Sequence, residues 1–468
     1  MQDVESKTSL RFSGNAVFAE KVKIPAVLTL DYDKHGPSEI LGRISPVGII
    51  TDPMQRIWFH NPAMPKEIIF EAQSPIGTHI RLHAFTSVSR SQSEISFNAN
   101  VCEIGLSDFD IKDAEIAVVT ILLTNAKCLS KRQRRMHHYD GNIVVKPSYP
   151  EEIEWKTAFG VAQARMHYVY EDVTVLGDKA VVQMRTPSVS VKLDSTQSHL
   201  ITDVMQGLKQ EMRDACMLLA LCSRQRVDWF DIGMTLRVRG PHFVNVAQPK
   251  IRHSANKINY SERFEELINH SNLVKGGFEK LLAKFRASPH SELLRRTIPF
   301  LVVSYAPGFT ETKYFLCYSA LNALCDRIAK VTPELSESQW KRIESELKKA
   351  LRDILTKEGN TDGFELMAKK IPEIKRAPEM EVMLDAIARA GVKADDLWKN
   401  KPLATGLNEA RKMRNALFHA ANRADIFEME DNLTRLRILT ERLTLNLLEW
   451  PADKIWKWYD QELLWINQ

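Results

Sequence analysis

The sequence predicts an α+β protein, with a β-rich amino-terminal domain (a sandwich or irregular barrel) followed by an all-α helical bundle. Two observations predict it. Residues up to about 195 carry short runs with period-two alternation or β-branched enrichment, broken by turn signals such as His35-Gly36-Pro37. Beyond about 258 the apolar residues recur instead at steps of three and four, the spacing of helix faces. At 468 residues the chain exceeds one typical domain, and the usual roughly 100 to 200 residues per domain predict two or three.

Taken in order, the strand candidates are Ala26 to Tyr32, Ile40 to Ile44, Glu67 to Ala72, His79 to Thr86, Glu94 to Ile104, Ile116 to Leu123 and Val181 to Leu193. The period changes at Leu200. Leu200, Val204, Leu208, Met212 and Cys216 fall four apart, which predicts one helix over about 199–224 packed on the preceding sheet. Val227 to Val246 returns to strand patterning and closes a sensor or regulatory domain over 1–250. The helical region spans 258–468, with Thr310 expected as the N-cap of a helix over Glu311 to Lys330. Lys341 to Leu355 reads as a charged amphipathic helix, and Ile371 to Pro378 as a break. Met380 to Ala390 is a further helix that Gly391 ends. Ile426, Met429, Leu433, Leu436, Thr440, Leu443, Leu447 and Trp450 form a heptad-like seam, suited to packing inside the bundle or between copies. Pro451 opens a last helix with Ile455, Trp456, Tyr459, Leu463 and Trp465.

Composition excludes several classes. With 44% hydrophobic and 26% charged residues the chain has the balance of a water-soluble globular protein, and its net charge of +5 permits a nucleic-acid partner without demanding one. Met1 to Ser6 is polar, and no stretch reaches the roughly 18 apolar residues of a membrane span, so a cytoplasmic protein without a membrane partner is expected. The six cysteines are scattered, with no C-x2-C pair and no Cys/His cluster at zinc spacing, which predicts reduced thiols, no metal and no cofactor. There is no Gly-rich phosphate loop, G-x-S-x-G elbow or H-E-x-x-H.

Chemistry concentrates in Arg411-Lys412-Met413-Arg414-Asn415-Ala416-Leu417-Phe418-His419. Leu403, Leu407, Ala410, Arg414, Leu417 and Ala421 recur at helical spacing, so Arg414 lies on the apolar stripe of its own helix. A cation there needs a carboxylate, a phosphate or a wet cleft, because an isolated buried charge is very costly. Asn415 and His419 are four apart and share one side of the helix, with Arg411 a turn further back. An imidazole with a pKa near neutrality can take the proton of a ribose 2'-hydroxyl, and a guanidinium can hold the phosphate as charge builds. A second basic cluster, Lys131, Arg132, Arg134 and Arg135 with Tyr139 beside it, could grip phosphates and stack on a base, or form a solvated loop.

Arg414-Asn415-Ala416-Leu417-Phe418-His419 resembles the R-N-x3-H form of the R-x4-6-H signature of HEPN ribonucleases, small helical domains common in bacterial antiviral and toxin systems. The bare spacing also occurs from Arg132 to His137, Arg237 to His242 and Arg263 to His270. What distinguishes Arg414 and His419 is Asn415, the helical context and the amphipathic helix downstream. The order of sheet, helix and returning strand, with Phe12-Ser13-Gly14 and Leu218 to Asp231, resembles the amino-terminal domain of ApeA-type abortive-infection proteins, which precedes a carboxy-terminal HEPN domain.

The resemblance implies an HEPN-like bundle and an antiphage endoribonuclease that cleaves RNA, tRNA among the candidates, without a metal, once a phage component relieves inhibition. It implies catalytic roles for Arg414, Asn415 and His419, RNA contacts from Arg411 and Lys412, and a homodimer or higher even homo-oligomer. Family members often carry a carboxylate beside a small-Leu pair; here Ala320-Leu321 is followed by Asn322, and Asp326 one turn later is either a substitute for it or half of a surface ion pair. Two other classes fit the same residues: a catalytically silent HEPN module that binds RNA, a nucleotide or a partner protein, and an adaptor in which Arg414 is a structural ion pair.

Overall fold

The computed structural model describes residues 7–17, 22–33, 38–53, 55–56, 67–72, 79–91, 93–105, 116–129, 136–137, 143–144, 151–175, 178–194, 198–239, 244–247, 249–255, 266–331, 335–372, 377–399, 401–419 and 425–451. The chain divides into two compact units. One is built on the chain up to Arg286, the other on Ala287–Ser304 and Gly308–Ala452. The first is β-rich and the second helical, as the patterning predicts.

The first unit opens with six strands, β1 (Lys7–Val17), β2 (Lys23–Asp33), β3 (Ile40–Pro46), β4 (Glu67–Ala72), β5 (His79–Arg90) and β6 (Ile95–Ile104). Their antiparallel pairings run β1–β2–β3–β6–β5–β4 and return from β4 to β1, which closes a six-stranded barrel. Alternation fills it: Ile24, Ala26, Leu28, Leu30 and Tyr32 of β2 point inward, with Ile40 and Ile44 of β3. A small barrel has an interior just wide enough for side chains to occupy. At the Gly42↔Phe97 pair the phenyl ring takes the space of the missing side chain, since a Cβ on Gly42 would stand 2.1 Å from it.

The remaining strands are β7 (Ile116–Leu123), a separate short ladder of β8 (Met136–His137) and β9 (Ile143–Val144), then β10 (Ile153–Thr157), β11 (Gly160–Val175), β12 (Asp178–Leu193), β13 (Trp229–Arg239), β14 (Val244–Ala247) and β15 (Lys250–His253). An open antiparallel sheet ordered β10-β11-β12-β7-β13-β15 joins the barrel where β15 pairs with β6. Helix α1 (Ile201–Ser223) buries Val204, Met205, Leu208, Met212 and Leu219, the face that its four-residue spacing predicts. The unit runs past residue 250. Helices α2 (His270–Leu273) and α3 (Gly277–Ala287) belong to it because Phe278 packs edge-on against Trp155 at 5.0 Å and the Leu267 amide donates to Cys222 O.

The helical unit comprises α4 (Ser291–Val303), α5 (Thr310–Ile328), α6 (Glu337–Lys357), α7 (Phe364–Ala368), α8 (Glu379–Ala390), α9 (Leu403–His419) and α10 (Ile426–Leu447). Helix α5 is its hub, packed by α4, α8, α9 and α10. The seam of α10 faces it: Met429, Leu433, Leu436, Thr440 and Leu443 are buried, with Thr440 Oγ1 3.9 Å from Cys317 Sγ. Ile426, expected in the seam, is 60% exposed. Thr310 is the first helical residue and not the N-cap; Phe309 holds that place without a side-chain cap. Gly391 ends α8 in the left-handed conformation at φ 62°. The expected last helix lies outside the described residues. Among the described residues no helix is long and apolar enough to cross a membrane.

Candidate functional site

Helix α9 is docked before it is functional. Leu407, Ala410 and Met413 are buried at three-residue steps and seat it on the bundle. Tyr314 of α5 donates its hydroxyl to Ala410 O at 3.0 Å, so a second helix is tied to the α9 backbone. Lys401 grips both carboxylate oxygens of Glu409 at 2.9 and 2.8 Å across the start of the helix. This places Arg411, Lys412, Arg414, Asn415 and His419 on one helix.

Arg414 finds its carboxylate in Glu379. Nη2 donates to Glu379 Oε1 at 2.8 Å, and both side chains are partly buried, 28% and 25% exposed. The same Oε1 accepts the Tyr318 hydroxyl at 3.1 Å. The Arg414 guanidinium also stands over the Tyr318 ring, 4.9 Å from its centroid. Burial pushes the Tyr318 phenol well above its ordinary pKa and the Glu379 charge pushes it further, with Arg414 opposing, so Tyr318 stays a neutral donor. Glu379 lies in the first turn of α8, directly after Pro378, where the exposed amides of a helix start favour a negative charge. Arg414 Nε is buried and has no hydrogen-bond partner among the described residues.

Arg411, a turn earlier, is held within its own helix. Its Nη2 donates to Asn408 Oδ1 at 2.9 Å, and its Nε is likewise buried without an acceptor among the described residues. Lys412 is exposed and Asn415 half-buried. His419 is the last residue of α9, and its side chain lies outside the described residues. Lys131, Arg132, Arg134 and Arg135 also lie outside them.

The carboxylate on Arg414 therefore comes from α8. On α5, Asp326 instead takes a 3.4 Å contact from Asn322. Glu379 and Tyr318 escaped the sequence reading because helical spacing reports neighbours within one element, whereas Glu379 meets Arg414 from 35 residues away. The acidic residue after Ala377-Pro378 marks a helix start and nothing more. Of the other Arg-to-His spacings, the one at Arg237 begins in strand β13, where helical proximity cannot arise. Among the described residues no group of three His, Cys, Asp or Glu side chains is placed to hold a metal ion. No family model, curated protein or solved structure matches the chain.

Proposed function

We propose that the helical unit is an endoribonuclease of the HEPN type that cleaves RNA by metal-independent 2'-hydroxyl attack and serves antiphage abortive infection. The observation that carries the reading is Arg414: ion-paired and stacked, yet 28% exposed, on the same helix as Asn415 and His419. A guanidinium so held can meet a phosphate without first being ordered. His419 acts as general base toward the 2'-hydroxyl and then as general acid toward the leaving 5'-oxygen. Arg414 neutralises charge on the scissile phosphate, Asn415 orients His419 or the phosphate, and Arg411 and Lys412 draw in the chain. The products are a 2',3'-cyclic phosphate and a 5'-hydroxyl. Structured RNA such as tRNA suits this chemistry, because its loops reach in-line geometry. A composite cleft requires a homodimer or a higher even oligomer, and a phage component is the trigger.

The test is a denaturing gel of RNA incubated with purified protein in EDTA, comparing wild type, Arg414→Ala and His419→Ala. Discrete fragments with cyclic-phosphate ends from the wild type alone support the reading. Intact RNA in every lane, from variants that melt with the wild type, would sink it.

One observation favours a second reading. Glu379 already neutralises Arg414, which suits a silent HEPN module or an adaptor whose motif is structural. That reading expects phage protection to survive both substitutions wherever the variants fold.

A further inference from the structure

We propose that Glu379 and Tyr318 are positioning residues for Arg414, fixing its guanidinium in the orientation that receives a phosphate. This deepens the reading of α9 as an RNA-cleaving site and rests on it. Neither residue belongs to the sequence motif, and they come from two different helices, α8 and α5.

The geometry is a closed set of contacts. Glu379 Oε1 accepts from Arg414 Nη2 at 2.8 Å and from the Tyr318 hydroxyl at 3.1 Å. The Tyr318 ring lies beneath the guanidinium it helps to anchor. Tyr318 itself is 2% exposed, so the ring has no room to swing aside. An arginine side chain has many rotamers to lose, and the Glu379 hydrogen bond and the Tyr318 ring remove much of that freedom before substrate arrives.

A buried N–H without an acceptor is costly, and most are paired. Arg414 and Arg411, one turn apart, each have Nη2 anchored to a neighbouring oxygen and a buried Nε with no acceptor among the described residues. Those Nε atoms are buried, so a phosphate oxygen meets the exposed part of the Arg414 side chain, 28% exposed, which Glu379 and Tyr318 hold in place.

The test compares Glu379→Gln, Glu379→Asp, Tyr318→Phe and Arg414→Ala on an RNA that the wild type cuts, well below the melting point of every variant. Glu379→Gln keeps the shape but loses the charge that orients Arg414. It should lower kcat by about 10- to 100-fold while KM moves by less than about threefold, the split expected when an interaction matters mainly in the transition state. Glu379→Asp should recover part of that loss. Tyr318→Phe, which keeps the ring, should lose less than Glu379→Gln. Adding Glu379→Gln to Arg414→Ala should cost nothing further, because residues that act as a unit are non-additive. A Glu379→Gln variant with wild-type kcat overturns the inference. A faster one also does, since Glu379 would then be a competitor for the phosphate site.

Should the wild type cut no RNA, the nuclease reading falls and the inference is read from binding alone. Fluorescence anisotropy with a 2'-O-methyl RNA then decides it. Equal, non-additive weakening by Arg414→Ala and Glu379→Gln supports positioning for phosphate contact. Binding that ignores either substitution overturns it.

Discussion

At the scale of single residues, a half-buried guanidinium persists only beside an acceptor, and Glu379 supplies one to Arg414 at 2.8 Å. Exposed pairs contribute about 0–1 kcal/mol, and breaking a fully buried pair costs about 3–5. Arg414→Ala should therefore lose about 1–2 kcal/mol in urea or thermal unfolding, and a loss beyond about 3 would make Arg414 scaffold. The six cysteines make a second residue-scale case. All are buried and reduced, and burial pushes the thiols of Cys102, Cys128, Cys317 and Cys325 up to about 12, with Cys216 and Cys222 also raised. The folded state thus keeps protons that unfolded thiols release near pH 8.5. This contribution to stability is intact below that pH and is lost as the pH climbs from there toward 12. A disulfide reagent at pH 8 should leave the native protein unlabelled and react with all six thiols in denaturant. Fast labelling of the native protein at any cysteine would contradict the burial. That Arg414 needs a partner was legible from its place on an apolar stripe. Which partner was not, because the sequence holds no signal linking α8 to α9.

At the scale of elements, legibility followed the contrast between faces. Strand β3 alternates buried Ile40, Gly42 and Ile44 with exposed Leu41 and Arg43, and β4 and β7 match their expected bounds for the same reason. Strand β1, KTSLRFSGNAV, was not among the expected strands: Leu10 and Phe12 pack on the core between exposed Ser9, Arg11 and Ser13, but the inward residues then shrink to Gly14 and Ala16, so the bulky alternation is only two residues long. Barrel closure was equally hidden. It depends on β4 meeting β1 and β5 meeting β6 in register, which is a property of pairings and not of strands. Helix α9 offers a test where propensity and packing disagree. Replacing a helical glycine by alanine ordinarily stabilises by about 0.5–1 kcal/mol. At Gly406, however, a Cβ would stand 2.4 Å from the Trp398 ring, which is 4% exposed and cannot retreat. Gly406→Ala should therefore destabilise, by about 1–3 kcal/mol, as overpacked cores do. A raised melting temperature would mean that α9 does not lie as closely on Trp398 as described. Because α9 carries the motif, the same shift should reduce any RNA cleavage.

At the scale of the whole molecule, the separation into a β-rich unit and a helical unit was legible because the hydrophobic period changes from two to between three and four. The boundary was less so. Strand patterning ends near residue 250, yet Phe278 and Glu279 still serve the sheet, the first through Trp155 and the second by accepting the Lys156 amide at 3.3 Å. Each unit buries its own core: Leu28, Leu30, Phe70 and Ile80 fill the barrel, while Tyr314, Leu321, Leu324 and Leu436 lie in the bundle, all fully buried. Units with separate cores unfold as separate cooperative blocks, and a single melting temperature then misdescribes the chain. Calorimetry of the full chain should resolve two transitions. Leu28→Ala and Leu436→Ala each remove a buried side chain, at about 2–5 kcal/mol, and each should lower one transition and leave the other in place. If the bundle holds the ribonuclease, Leu28→Ala should also leave the rate of RNA cleavage intact at temperatures below both transitions. One transition displaced by either substitution would show that the two cores form a single cooperative block, so that damage to the barrel reaches the motif helix through stability alone.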